Sequence, residues 1–148
     1  MSIALLDVNV LIALSWTEHV HNQAARHWFA SNRKNGWATC PLTQAAFLRL
    51  SVQPPVVGAR VSVTQAMKAL KDHCLDPFHH FFSQTTELTD MLPEIQEKIS
   101  GHQQIADAIL LDLAIRNGAR LTTFDKRMHS LLPKESPHHD TLVVIPAE

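Results

Sequence analysis

The stretch Ile3-Ala4-Leu5-Leu6-Asp7-Val8-Asn9-Val10-Leu11-Ile12-Ala13-Leu14 decides how the rest of the chain is read. Its first four residues form a short continuous apolar run, the pattern of a strand buried on both faces of a parallel sheet. Asp7 follows directly, and the run from Val8 to Leu14 can start a helix at once. In open α/β sheets ligands bind beyond the carboxyl ends of the strands, where Asp7 stands.

Outward from that stretch, helical spacing over 21–30 puts Ala24, Ala25, Trp28 and Phe29 on one side. Gly36 precedes a second short strand over 37–40. Pro41 and Leu42 then lead to Thr43, which reads as the N-cap of a helix over 44–50. Pro54, Pro55 and Gly58 predict a loop. A helix is expected over 61–74 with Ala66, Ala69 and Leu70 inward, then a strand over 78–82. Two more helices are expected over 86–99 and 105–117. Gly118 suits the C-cap that precedes a strand over 120–124, and a last strand spans 142–145. Strands alternating with helices give an α/β sandwich around a mainly parallel sheet.

The totals bound the function. A chain of 148 residues reads as one domain, 1–148, and its 45% hydrophobic and 18% charged content excludes wholesale disorder. The net charge is only -1, but the charges are unevenly placed. From His19 to Lys71 there is no Asp or Glu, while Arg26, Arg33, Lys34, Arg49, Arg60, Lys68 and Lys71 fall in that stretch. This asymmetry suits a surface that meets a polyanion, and equally a solvated face. Cys40 and Cys74 stand far apart, which points to a reducing cytoplasm and no disulfide framework. Asp7 and Asn9 interrupt the apolar N-terminus, and no segment approaches the roughly 20 apolar residues of a membrane span, so a membrane is not expected.

Three aspartates carry the chemistry. Asp125 stands just past the strand over 120–124, as Asp7 does past the first. Asp107 shares a helical face with Leu110, Leu111 and Ala114, which aims it inward, whereas Asp112 falls on the opposite side within reach of Arg116. Taken singly, Asp7 reads as well as an N-cap, and Asp125 reads better as a turn residue. Jointly they predict a cluster of carboxylates without a nearby cation, which raises their pKa values. A hard divalent ion such as Mg²⁺ or Mn²⁺ resolves that conflict and can bridge carboxylates to a phosphate.

The segments LLDVNVLIAL (5–14), GWATCPLTQAAFLRLS (36–51) and GHQQIADAILLDLAIRNGARLTTFD (101–125), with His19, His21 and the run Ala25-Arg26-His27-Trp28-Phe29, resemble PIN-domain proteins. More narrowly, they resemble the VapC toxins of type II toxin–antitoxin pairs. The resemblance implies a three-layer α/β/α PIN fold, a homodimer, a small VapB-like antitoxin as partner, and Mg²⁺-dependent endoribonuclease activity on RNA. It also implies that Asp7 and Asp107 are metal ligands, and that Asp125, at the later acidic position, joins them in the metal-binding and catalytic set. Asn9, Thr43 and Thr123 match polar positions that line the same site. The sequence departs from the family at Ala46, where many PIN domains carry a Glu. That loss weakens the case for two fully liganded metals and predicts a single well-held ion.

Other chemistries fare worse. His19/His21, His79/His80 and His138/His139 lack any zinc-ligand pattern, and adjacent strand histidines point to opposite faces. No hydrolase triad and no glycine-rich phosphate loop is present. His102 stands close enough to Asp107 to approach the site, or to cap the next helix. Arg49, Arg120, Lys126 and Arg127 are the candidates for holding RNA phosphates. The rival to a nuclease in toxin–antitoxin function is a PIN nuclease of RNA processing. The rival from another class is a silent PIN domain that binds RNA or protein, which Ala46 makes tenable.

Overall fold

Leu5 and Leu6, neighbours on one strand, go to opposite faces of the sheet, and each belongs to a separate core. The computed structural model describes residues 2–147. Strand β1 (Ala4–Leu6) lies at the centre of a five-stranded sheet with β2 (Trp37–Thr39), β3 (His79–Phe81), β4 (Arg120–Thr123) and β5 (Leu142–Val144). The order is β3-β2-β1-β4-β5, and every pairing is parallel. Helices cover both faces and bury the central strands β2, β1 and β4, whereas the edge strand β3 is largely exposed. Among the described residues, no helix is long and apolar enough to cross a membrane.

One face carries α1 (Val8–Ser15), α2 (Asn22–Asn32), α3 (Pro41–Ser51), the one-turn α4 (Pro54–Val57) and α5 (Val63–Cys74). Leu6, Val10, Leu11, Trp37, Phe47 and Leu70 pack there. The other face carries α6 (Pro93–Gln96) and α7 (Ile105–Arg116), with Leu5, Ala38, Leu111, Leu121 and Leu142 in its core. The expected α/β/α layering is what the chain adopts, with a sheet that is wholly parallel. The helix α5 is started by a capping box: Ser62 accepts from the Gln65 N–H, and Gln65 accepts from the Ser62 N–H.

Several local expectations need correction. The helix expected over 86–99 is broken into a 3-10 turn, Leu88–Asp90, and the single turn α6. Pro93 explains the break: its ring drives Leu92 into an extended conformation (φ -50, ψ 126) and removes an N–H. The loop expected at Pro54-Pro55 holds the turn α4, since proline suits a first helical turn. Thr43 is not an N-cap. The helix starts three residues earlier than expected, at Pro41, with Cys40 as cap, and the Thr43 hydroxyl accepts from the Cys40 N–H.

The most instructive reversal concerns α7. Asp112, expected outward, is buried, and Asp107 is only half-buried. The expected pair with Arg116 is present at 2.8 Å, but it forms under a lid made by residues 88–96. There Asp112 also accepts the Leu92 N–H at 2.9 Å, and Arg116 donates to the Asp90 carbonyl. A helical wheel has no way to show that a second covering arrives from a non-helical segment. Replacing Asp112 by Ala strands a buried N–H and a half-covered guanidinium. We expect a loss of about 2 kcal/mol in urea unfolding with the cleft chemistry otherwise intact; a loss within experimental error contradicts this role.

Candidate active site

Strand order places β4 beside β1 although 113 residues separate Leu6 from Arg120, so the chain reverses its winding direction between these two strands. A crevice opens beyond the carboxyl ends at such a switch point. Asp7 follows β1 at this edge, buried rather than lining the cleft surface, and caps α1, its Oδ1 accepting the Val8 N–H at 2.7 Å. Its Oδ2 accepts the Thr123 hydroxyl at 2.7 Å. Thr123 is wholly buried and has one proton to give, so it gives that proton to Asp7 and accepts from its other neighbours. These are Asn9 Nδ2 at 3.2 Å and the Asp125 N–H at 3.0 Å. Asn9 Oδ1 in turn accepts the Phe124 N–H at 3.2 Å. The ends of the two strands are thus tied together by polar side chains, with Thr123 at the hub.

Asp107 and Asp125 line a cleft of about 480 Å³ together with His102, Gln104, Arg127 and Leu131. Asp107 comes from the first turn of α7. Burial pushes its carboxyl up to about 6, and the charges of Asp7 and Asp125 push the same way against the weaker pull of Arg127. Asp7 is also raised, chiefly by burial, against the bonds from Thr123 and Val8. Asp125 goes the other way. Arg127 donates to both its oxygens, at 2.9 and 3.0 Å, and holds its carboxyl below the usual carboxylate range. Asp125 also caps the 3-10 segment Lys126–Leu131, the role of a turn residue.

The donor set suits a hard cation in a restricted way. Among the described residues, no three His, Cys, Asp or Glu side chains stand together as a ready-made metal site. Asp7 and Asp107 are two carboxylates whose charges oppose one another, while Asp125 is already engaged by a guanidinium. Mg²⁺ is commonly held by one or two carboxylates and keeps waters for the rest, so this pair fits it.

The remaining sequence candidates divide. Asn9 and Thr123 join the cluster, and Arg127 lies in the cleft with Lys126 beside it in sequence. Thr43 does not line the cleft; it is buried and bonded to Cys40. Arg120 begins β4 and therefore sits at the opposite edge of the sheet, since a four-residue strand spans about 13 Å. It faces a separate groove with Trp28, Asn32 and Asn35. Arg49 is exposed near the end of α3, and Ala46 is half-buried on the same helix. Ser100 and Gln104 were not foreseen. Gln104 Oε1 accepts from the Ser100 N–H and hydroxyl, which shapes the cleft wall before α7.

A family model described as PIN domain matches residues 4–131. The chain belongs to the PIN-domain family. Among curated PIN relatives, Ribonuclease VapC38 of Mycobacterium tuberculosis is 41% identical over 128 residues, covering 86% of this chain and 89% of that protein. Ribonuclease VapC29 of the same organism is 34% identical over 143 residues, covering 96% of each. Of solved structures, VapBC2 from Rickettsia felis bound to a promoter DNA fragment superposes with a TM-score of 0.62. It covers 97% of this chain and 99% of that one at 15% identity, which speaks for the PIN fold alone.

The raised carboxyl of Asp107 has a thermodynamic consequence. Between the ordinary value of 3.8 and about 6, the folded protein holds a proton that the unfolded chain has released. Without metal, stability therefore falls as pH rises through that window, and the penalty is complete above it. Asp107→Asn removes it. The metal-free variant should melt at a higher temperature than the parent at about pH 7.5 and converge with it near pH 4. A lower melting temperature at about pH 7.5 contradicts this.

Proposed function

We propose that this chain is the endoribonuclease toxin of a VapBC-type pair, hydrolysing RNA phosphodiesters with the help of Mg²⁺ or Mn²⁺ at Asp7 and Asp107. The observation that carries this is the gathering of Asp7, Asp107 and Asp125 beyond the ends of β1 and β4, with Asp107 half-buried and lining one cleft with Asp125. A protein has little reason to keep such a group unless a cation joins it. The ribonuclease names of relatives spanning most of the chain support the reading.

Asp7 and Asp107 hold the ion. When bound, it supplies Lewis acidity at the scissile phosphate and lowers the barrier to attack by water in line with the leaving oxygen. The Thr123 hydroxyl keeps the Oδ2 edge of Asp7 in one orientation, and Asn9 fixes Thr123 in turn. Asp125 orients Arg127, whose exposed guanidinium is placed to meet an RNA phosphate, with Lys126 next to it. Asp125, engaged by Arg127, would orient water around a bound ion. We place the whole chain, 1–148, in one cytoplasmic PIN domain that works as a homodimer. Its partner is a small VapB-like antitoxin that enters the acidic cleft with a cation.

Asp7→Asn keeps the shape of the side chain and removes its charge. The variant should retain its circular dichroism, lose RNA cleavage by at least about 10²-fold and relieve growth arrest on expression. Unchanged cleavage refutes the assignment, and cleavage absent from parent and variant alike supports the silent binding module that Ala46 allows. Calorimetric titration with Mn²⁺ should count one tight ion per chain without RNA, because α3 contributes no carboxylate. Two tight ions overturn that count.

A further inference from the structure

Sequence pairs of neighbouring histidines carry no metal signal, but the fold pairs two histidines ten residues apart. His129, in the 3-10 segment Lys126–Leu131, and His139, in the 3-10 turn His139–Thr141, bring their Nδ1 atoms to 3.3 Å. Their rings are nearly parallel, 24° apart, with centroids separated by 5.6 Å, so the two nitrogens face one another. His139 Nε2 lies 2.7 Å from the Pro133 carbonyl oxygen. A carbonyl can only accept, so Nε2 carries the proton, and neutral His139 turns an unprotonated Nδ1 toward His129. A far N–H donated to a backbone carbonyl is the usual outer support of a metal-bound imidazole.

The spacing has a second meaning. Two nitrogens each about 2.0–2.1 Å from a tetrahedral ion lie about 3.3–3.4 Å apart. In the metal-free pair the gap is filled by the proton on His129 Nδ1. When that proton moves to Nε2 of the same ring, a second lone pair becomes available. The His129 ring is exposed and can tilt until both lone pairs meet one ion.

We propose that His129 and His139 form a two-imidazole site for a borderline divalent ion of the Zn²⁺ or Ni²⁺ class. Imidazole nitrogen suits these ions, whereas Mg²⁺ prefers oxygen, so the site is chemically separate from the carboxylates. No third His, Cys, Asp or Glu joins the pair among the described residues, so water completes the coordination and the affinity is modest. The consequence is mechanical. His129 belongs to the segment that supplies Arg127, Met128 and Leu131 to the cleft, and His139 belongs to the turn that leads into β5. An ion between them fastens the cleft wall to the last strand. This inference does not depend on nuclease activity.

The test uses the full chain in an Asp107→Asn background, so that zinc at the carboxylates is removed from the reading. Titration with ZnCl₂ alone, followed by calorimetry and by imidazole ¹⁵N shifts, should show one ion that moves the His129 and His139 signals together. His129→Ala and His139→Ala should each weaken binding at least about tenfold, with circular dichroism confirming that both variants fold. Addition of MgCl₂ should not displace the zinc. No zinc binding, binding unchanged in either variant, or binding that moves other histidines instead overturns the site.

Discussion

A single hydroxyl, that of Thr123, holds the candidate site's edge of the sheet together. It donates to Asp7 and receives from Asn9 and from the Asp125 backbone, so it links the end of β1, the first turn of α1 and the exit from β4. The exit from β4 lies over 110 residues beyond the other two and meets them only because β4 returns to the free side of β1. The parallel sheet creates the crevice; the hydroxyl fixes the direction in which Asp7 faces it. A methyl group in its place would leave the part-buried Asn9 amide and Asp125 N–H without this acceptor and buried Asp7 without this donor.

The three carboxylates that gather around this hub are not equivalent. Asp7 is buried and hydrogen-bonded, Asp107 is half-buried and opposed by its neighbours, and Asp125 is neutralised by Arg127. This asymmetry divides the labour: two groups are short of positive charge, and the third positions a cation of the protein's own. Under the proposed one-ion reading, α3 need not supply the acid that many family members carry at the position of Ala46.

Much of this was legible in the sequence where period and position agree. The apolar run before Asp7 and the run before Asp125 marked buried parallel strands, and the sheet places both as expected. The inward positions Ala66 and Leu70 of α5 and Leu110, Leu111 and Ala114 of α7 followed from spacing in the same way. What failed were inferences that needed a third dimension. Asp112 read as solvent-facing because the turn at Leu88–Asp90 and the backbone of Leu92 cover it from outside the helix. Thr43, a site residue by resemblance, commits its hydroxyl to the start of α3, which spacing alone did not show. Arg120 stands five residues from Asp125, and in a strand that distance separates the two edges of the sheet. The pairing of His129 with His139 had no local signature at all.

The central claim, that Asp7 and Asp107 share one hard divalent ion, is tested most directly by diffraction from crystals grown with MnCl₂, using manganese anomalous scattering. The account predicts one strong anomalous peak between these two carboxylates, with Asp125 still on Arg127 and outside direct contact. A cleft with no peak, or a peak held by Asp125 in place of Asp107, would contradict it.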